Sequence, residues 1–169
     1  MAGSRRMSVK SVLVAVVVLA VASQAIRPAR TNPPVDPART LDAHAAVTPD
    51  VHAILTRACQ DCHSDETVWP WYTNVAPASW LVISHVNDGR RHLNLSAWTT
   101  YDTPKAAKKL NEICEHVRDG EMPLTSYVWM HSNAALSGDD VTTLCAWTAR
   151  ERTRLGVAPS ESDDEPRRH

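Results

Sequence analysis

Two cysteines and a histidine stand together as Cys59-Gln60-Asp61-Cys62-His63, a C-x-x-C-H pattern. A helix-like turn of that length brings both thiols to one side, where they can add to the two vinyl groups of a porphyrin. The next residue then carries its imidazole toward the iron. The pattern therefore reads as the attachment signal of a c-type haem, with Cys59 and Cys62 as thioether sites and His63 as proximal ligand. A dithiol redox site would want a βαβ setting and a helix beginning at the first cysteine. A zinc site would want more ligands at short spacing, and the chain has no second C-x-x-C and no H-x-x-x-H pair.

A haem iron has a second axial position, filled for electron transfer or open for ligand chemistry. Gly120-Glu121-Met122-Pro123 offers Met122 just past a helix-terminating glycine, with Pro123 stiffening the turn. A thioether there would favour the reduced iron and raise its potential relative to two imidazoles. His85, inside a helical pattern, is the alternative distal ligand, and an open position is the third reading. His92, His116 and His131 read as structural, and Met130 in Tyr127-Val128-Trp129-Met130 reads as core. Trp71 and Tyr72, in Trp69-Pro70-Trp71-Tyr72, are candidates to pack against the porphyrin or bond a propionate. Arg90 and Arg91 are candidates to pair with propionates by charge-assisted hydrogen bonds. Ordinary core and surface roles stand beside these readings.

The elements that must position these groups are helical. Thr48 as N-cap, Pro49 at the first position and Asp50 in the first turn open a helix. Its Val51, Ile54, Leu55 and Ala58 share one face and lead into the motif. A second helix is expected from Pro77 to Gly89. A third opens at Thr103-Pro104, carries Ala107, Leu110, Ile113, Cys114 and Val117 on one stripe, and stops at Gly120. Ser137 caps a fourth, in which Val141, Leu144, Cys145 and Thr148 share a face. No segment alternates as a strand would, so the fold class is all-α with about four helices in the domain. If the third and fourth helices pack antiparallel, Cys114 and Cys145 can meet as a disulfide; two buried free thiols are the other reading. The bond would stabilise the fold by roughly 3 kcal/mol in the chain-entropy model.

Residues 1–26 read as a leader. Arg5, Arg6 and Lys10 form a positive start, and an apolar run extends from Val12 to about Ile26. The run is short of the roughly twenty residues that span a bilayer. Length favours a signal peptide with a small-x-small site at Ala20-Val21-Ala22, and an anchor retained through residues 11–26 is the alternative. Both put the rest of the chain outside the cytoplasm, in the periplasm or on the outer face of the inner membrane, where thiols are normally paired or otherwise occupied. Residues 27–47 are proline-rich and expected as an extended spacer, residues 48–155 as the folded domain, and residues 156–169 as a disordered tail.

Composition narrows the partners. A formal net charge of −1 leaves no electrostatic footprint for nucleic acid. Hydrophobic residues at 43% make a real core affordable for a chain of 169 residues. Six tryptophans and three tyrosines with no phenylalanine put a polar handle on every aromatic, which suits the rim of a large flat ligand. No Ser-His-Asp set, phosphate loop or paired carboxylates argue for hydrolytic or transfer chemistry.

From Ile54 to about Trp147 the chain resembles the bacterial haem-binding domain family, small c-type cytochrome-like proteins carried behind an N-terminal leader. The matching stretches are Cys59 to Ser64, Trp69 to Tyr72, Pro77 through Trp80, His85-Val86, Gly89-Arg90, Asn94 to Ser96 and Trp98. Gly120 to Leu124, Tyr127, His131, Ala135 to Ser137 and Cys145 to Trp147 complete the series, and Thr31 to Pro34 after the leader is also similar. The resemblance implies a cytochrome c-like helical fold around one covalent haem, with Cys59, Cys62 and His63 in their roles and Met122 as sixth ligand. It supplies no reaction and no redox partner. An electron carrier with His63 and Met122 both on the iron is the favoured function, rather than an enzyme. A small-ligand sensor or peroxidase-like enzyme with an open distal site is the alternative, and a haem-free disulfide scaffold a third.

Overall fold

The computed structural model describes residues 8–157. Among the described residues eight helices follow in order: α1 (Val9–Ser23), α2 (Leu41–His44), α3 (Pro49–Ala58), α4 (Gln60–His63), α5 (Ala78–His92), α6 (Thr103–Arg118), α7 (Thr125–Met130) and α8 (Gly138–Arg154). Short 3-10 turns at Trp71–Asn74, Leu95–Thr100 and Ser132–Ala134 link them, and the described residues contain no strand. The fold is all-α, a helical bundle compatible with the cytochrome-like expectation.

Burial explains which helices assemble. The core gathers Val51, Ile54 and Leu55 of α3, Leu110 and Val117 of α6, and Val141, Leu144 and Trp147 of α8. The sets recur at three-, four- or seven-residue spacing, one or two helical turns, so each helix buries one stripe. Trp147 is buried to 1% exposure, and its indole N–H donates to the Ala46 carbonyl at 3.1 Å. Cys114 on α6 and Cys145 on α8 are joined by a disulfide across this pair.

The helix ends refine several expectations. Ser137 and Asp140 form a reciprocal capping box at the start of α8. Thr48 stands at the N-cap of α3 without a side-chain capping bond. At α6 the cap is Asp102, whose carboxylate accepts from Lys105 N at 2.9 Å, while Thr103 is already helical. The helix expected to stop at Gly89 continues to His92, for a reason found at the site below.

The packed body also reaches further toward the N-terminus than Thr48. Leu41 of α2 is 2% exposed in the core, so the stretch expected as an extended spacer ends in a docked helical turn. Its earlier residues are pinned as well: Asn32 donates to the Thr67 carbonyl, and the Trp69 indole donates to Asn32 Oδ1. α1 buries none of its residues. No described helix is long and apolar enough to cross a membrane. Arg5 and Arg6 of the leader, and all but the first two residues of the expected tail, lie outside the described residues.

Candidate functional site

α3 ends at Ala58 because Cys59 leaves helical geometry, at φ −126°. The chain then closes one tight turn, in which the amides of Cys62 and His63 both donate to the Cys59 carbonyl. This turn, α4, carries Cys59, Cys62 and His63 together. Both cysteines hold free thiols and are half-buried. Burial pushes the Cys59 thiol up to about 12, helped by the neighbouring Cys62 and opposed by Arg57. Burial likewise pushes Cys62 up to about 11, with Asp61 adding to it and Arg90 opposing. A redox dithiol needs the reverse, a thiolate stabilised near neutral pH. Nor do the three side chains converge as a bare metal site requires: among the described residues no group of three or more His, Cys, Asp or Glu could hold a metal ion.

α5 packs directly on the turn, and Gly89 makes that approach possible. A Cβ on Gly89 would lie 2.4 Å from the Cys62 carbonyl oxygen and 3.0 Å from its carbon. Any side chain there would collide with main chain, which cannot swing aside. α5 brings its last turn over His63, where the Gly89 carbonyl accepts from Leu93 N at 2.8 Å and keeps a second lone pair for another donor. The imidazole Nδ1 lies 3.1 Å from the Gly89 carbonyl oxygen and 3.1 Å from that of Leu93. A carbonyl only accepts, so Nδ1 carries the proton and Nε2 keeps its lone pair. Burial holds the His63 pKa below the usual range, partly offset by these two carbonyls, and the ring is neutral. A neutral imidazole oriented through Nδ1 and presenting Nε2 is the arrangement of a metal-ligating histidine.

The inner residues of the motif tie it to the remaining elements. Asp61 accepts from Val68 N at 3.0 Å and from the Tyr127 hydroxyl of α7 at 2.7 Å. Thr67 Oγ1 donates to the Asp61 carbonyl at 2.7 Å. Burial, then the Asp61 carboxylate, drives the Tyr127 phenol far up, so it stays a donor at any ordinary pH. Tyr127 also stacks on His131 at 4.2 Å between ring centroids. Neither the Gly89 approach nor the Tyr127–Asp61 bond was assigned from sequence. Gly89 inside an apolar helical pattern was the available signal for the first; the second joins residues 66 apart and left none.

The other candidates are placed as follows. Tyr72 is half-buried, and its phenol pKa is raised by burial and then by Asp61 and Cys62, which sets it beside the motif. Trp71 meets Tyr72 edge-on at 5.9 Å but is 74% exposed. Arg90 is otherwise engaged than a propionate partner would be. Its Nε donates to the Ser64 carbonyl, Nη1 to the Thr31 carbonyl, and Nη2 to Asn32 Oδ1 and Thr67 Oγ1. Asp65 lies 3.5 Å away. Arg90 therefore staples the post-motif loop to residues 31–32. Arg91 pairs with Asp88.

Met122 occupies the turn after α6, beyond Gly120 with its φ of +71°. The amides of Glu121 and Met122 both donate to the His116 carbonyl, which fixes that turn to the helix end. Met122 is partly buried against the core, and the Met122–Pro123 peptide is cis. His85 is half-buried on α5. Met130, expected in the core, is 58% exposed, and Trp129 beside it is 81% exposed. The short helix α7 turns them outward because Tyr127 takes the inward position, on Asp61.

The donor set suits a porphyrin held by thioethers: two protonated, unpaired thiols and one imidazole with a free lone pair on a single turn. A family model described as the haem-binding domain matches residues 18–150. No curated protein and no solved structure matches the chain.

Proposed function

The chain belongs to the haem-binding domain family, and from that premise we propose that it carries one c-type haem and passes single electrons outside the cytoplasm. In this reading Cys59 and Cys62 would hold the haem covalently, and His63 Nε2 and Met122 Sδ would be the side-chain donors to its iron. The observation that carries it is the double hydrogen bond from His63 Nδ1 to the Gly89 and Leu93 carbonyls. It fixes the tautomer and ring plane before any metal arrives and raises the basicity of the ligating nitrogen.

The bound haem supplies a one-electron couple. The protein's own residues set its surroundings. Asp61 ties the attachment turn to α7 through Tyr127, and Gly89 keeps α5 seated against Cys62. Those contacts hold the ligand still between oxidation states, which suits transfer without rearrangement. Export is supported by the Cys114–Cys145 disulfide, which persists in an oxidising compartment. The apolar, unburied run from Val12 to Ala22 of α1 supports attachment to the membrane through residues 11–26. The electron partner would be another protein.

The test is an absorption spectrum of the haem-loaded protein, oxidised and reduced, beside Met122→Ala. A low-spin spectrum with the weak far-red band of thioether–iron(III) ligation, lost in the variant, is expected. A high-spin spectrum indifferent to the substitution would remove Met122 from the iron and favour small-ligand binding or catalysis.

A further inference from the structure

From Val12 to Ala22 α1 is apolar on every side, and it projects Val12, Leu13, Val14, Val16, Val17 and Leu19 into solvent at 41–68% exposure. A helix hydrophobic all round belongs in a core or in lipid. The chain does not leave it as a loose tether. Gln24 clamps the backbone of Ala76 from both sides, Nε2 donating to its carbonyl and Oε1 accepting from its amide at 2.9 Å. Two residues on, the Trp80 indole donates to the Ile26 carbonyl at 2.8 Å. The point where apolar helix becomes polar chain is therefore built into the face of the domain formed by residues 71–80.

At that junction lies a cavity of about 220 Å³ lined by Gln24, Arg27, Arg30, Thr73, Asn74 and Ser79 among others. Arg27 Nε donates to the Gln24 carbonyl, and Arg30 Nη1 to Thr73 Oγ1. Among the described residues neither arginine has a carboxylate partner, and the cavity wall contains none. Two uncompensated guanidiniums, with hydroxyl and amide groups beside them, form a site for a phosphodiester. Leu81, on the adjoining helix, is 54% exposed and extends the apolar border.

We propose that this cavity binds the phosphate headgroup of an anionic phospholipid, whose acyl chains lie along α1. The inference rests on the reading that residues 11–26 attach the chain to a membrane, and it is independent of what the haem iron does. The headgroup site would fix the orientation of the domain on the lipid surface instead of letting it swing on its leader.

The test uses the full haem-loaded chain. Flotation with phosphatidylcholine vesicles reads membrane attachment. Native mass spectrometry from detergent micelles, with phosphatidylglycerol or phosphatidylcholine added, reads the headgroup site. The expected result is flotation of both the parent and R27Q/R30Q, one phosphatidylglycerol retained by the parent, and retention weaker by roughly tenfold or more in the variant. An unchanged haem spectrum certifies the fold of the variant. If R27Q/R30Q does not fold, R27Q alone decides, because Arg27 makes only a main-chain bond to Gln24. Equal retention of the two lipids, or equal retention by parent and variant, overturns the headgroup site while leaving attachment intact. An adduct with inorganic phosphate and none with lipid overturns the lipid assignment. Failure of the parent to float removes the membrane reading and the proposal with it.

Discussion

Replacing Gly89 by alanine inverts what a glycine-to-alanine change normally does in a helix. Within a free helix alanine is better by roughly 1 kcal/mol. Here the new Cβ would lie 2.4 Å from the Cys62 carbonyl oxygen and 3.3 Å from the Cys62 Cβ. An ordinary carbon–oxygen contact is about 3.3 Å, so α5 and the motif must part by roughly 0.9 Å. That shift carries both His63 Nδ1 bonds, now 3.1 Å, out of range. Overpacking costs about 1–3 kcal/mol, and a buried donor left without its acceptors costs about 1–3 kcal/mol more. Set against the helix-propensity gain, the balance is a loss of about 3 kcal/mol. Urea unfolding of the haem-loaded protein measures it, with Asn87→Ala, exposed on the same helix, as a control expected to stay within about 0.5 kcal/mol. A redox titration should also show the potential rising, since a less basic imidazole favours the oxidised iron less. A Gly89→Ala protein as stable as its parent, with an unchanged potential, would refute the close approach and the role given to it.

Three further outcomes follow from other parts of the fold. Substituting both Cys114 and Cys145 by alanine opens a loop of 31 residues and should lower stability by about 3–4 kcal/mol, read by denaturant unfolding; a change under about 1 kcal/mol would count against that estimate. In the haem-free protein the raised Cys59 and Cys62 thiols should resist alkylation at pH 8 and react readily only when unfolded; equal rates folded and unfolded would contradict their burial. Asp140 is opposed by burial but held below the usual carboxylate range by Ser137 and Arg57, its Arg57 contact being 2.7 Å. Its depressed pKa means that its stabilisation is present above the ordinary carboxylate pKa and lost as pH falls through the lower folded value. Asp140→Ala should therefore flatten the acid limb of the stability–pH curve, and an unchanged limb would show that the carboxylate is not coupled to folding.

What could be read from sequence was local. The C-x-x-C-H turn, the apolar stripes of α3, α6 and α8 and the Ser137 cap are short-range patterns, and each stands where its spacing put it. Misplaced boundaries have a common physical origin in tertiary contact. Gly89 looked like a stop signal because a lone glycine usually is one, yet here the neighbouring helix requires the missing side chain. Residues 27–47 read as a spacer because of their prolines, but Leu41 docks in the core and Asn32 bonds the Thr67 carbonyl. Arg90 reads as a propionate partner because an arginine near a haem motif has an anion to find; four of its five N–H groups instead go to backbone and side-chain oxygens from loops far apart in sequence. The carbonyls of Gly89 and Leu93 that orient His63 could not be seen at all, since backbone groups carry no sequence signature.

The most direct test of the central claim is acid-acetone extraction of the haem-loaded protein beside C59A/C62A. Haem that stays with the parent polypeptide and is extracted from the variant is the predicted result, placing the attachment on those two sulfurs. Haem extracted from the parent would contradict covalent attachment, and with it the role given to the Cys59–His63 turn.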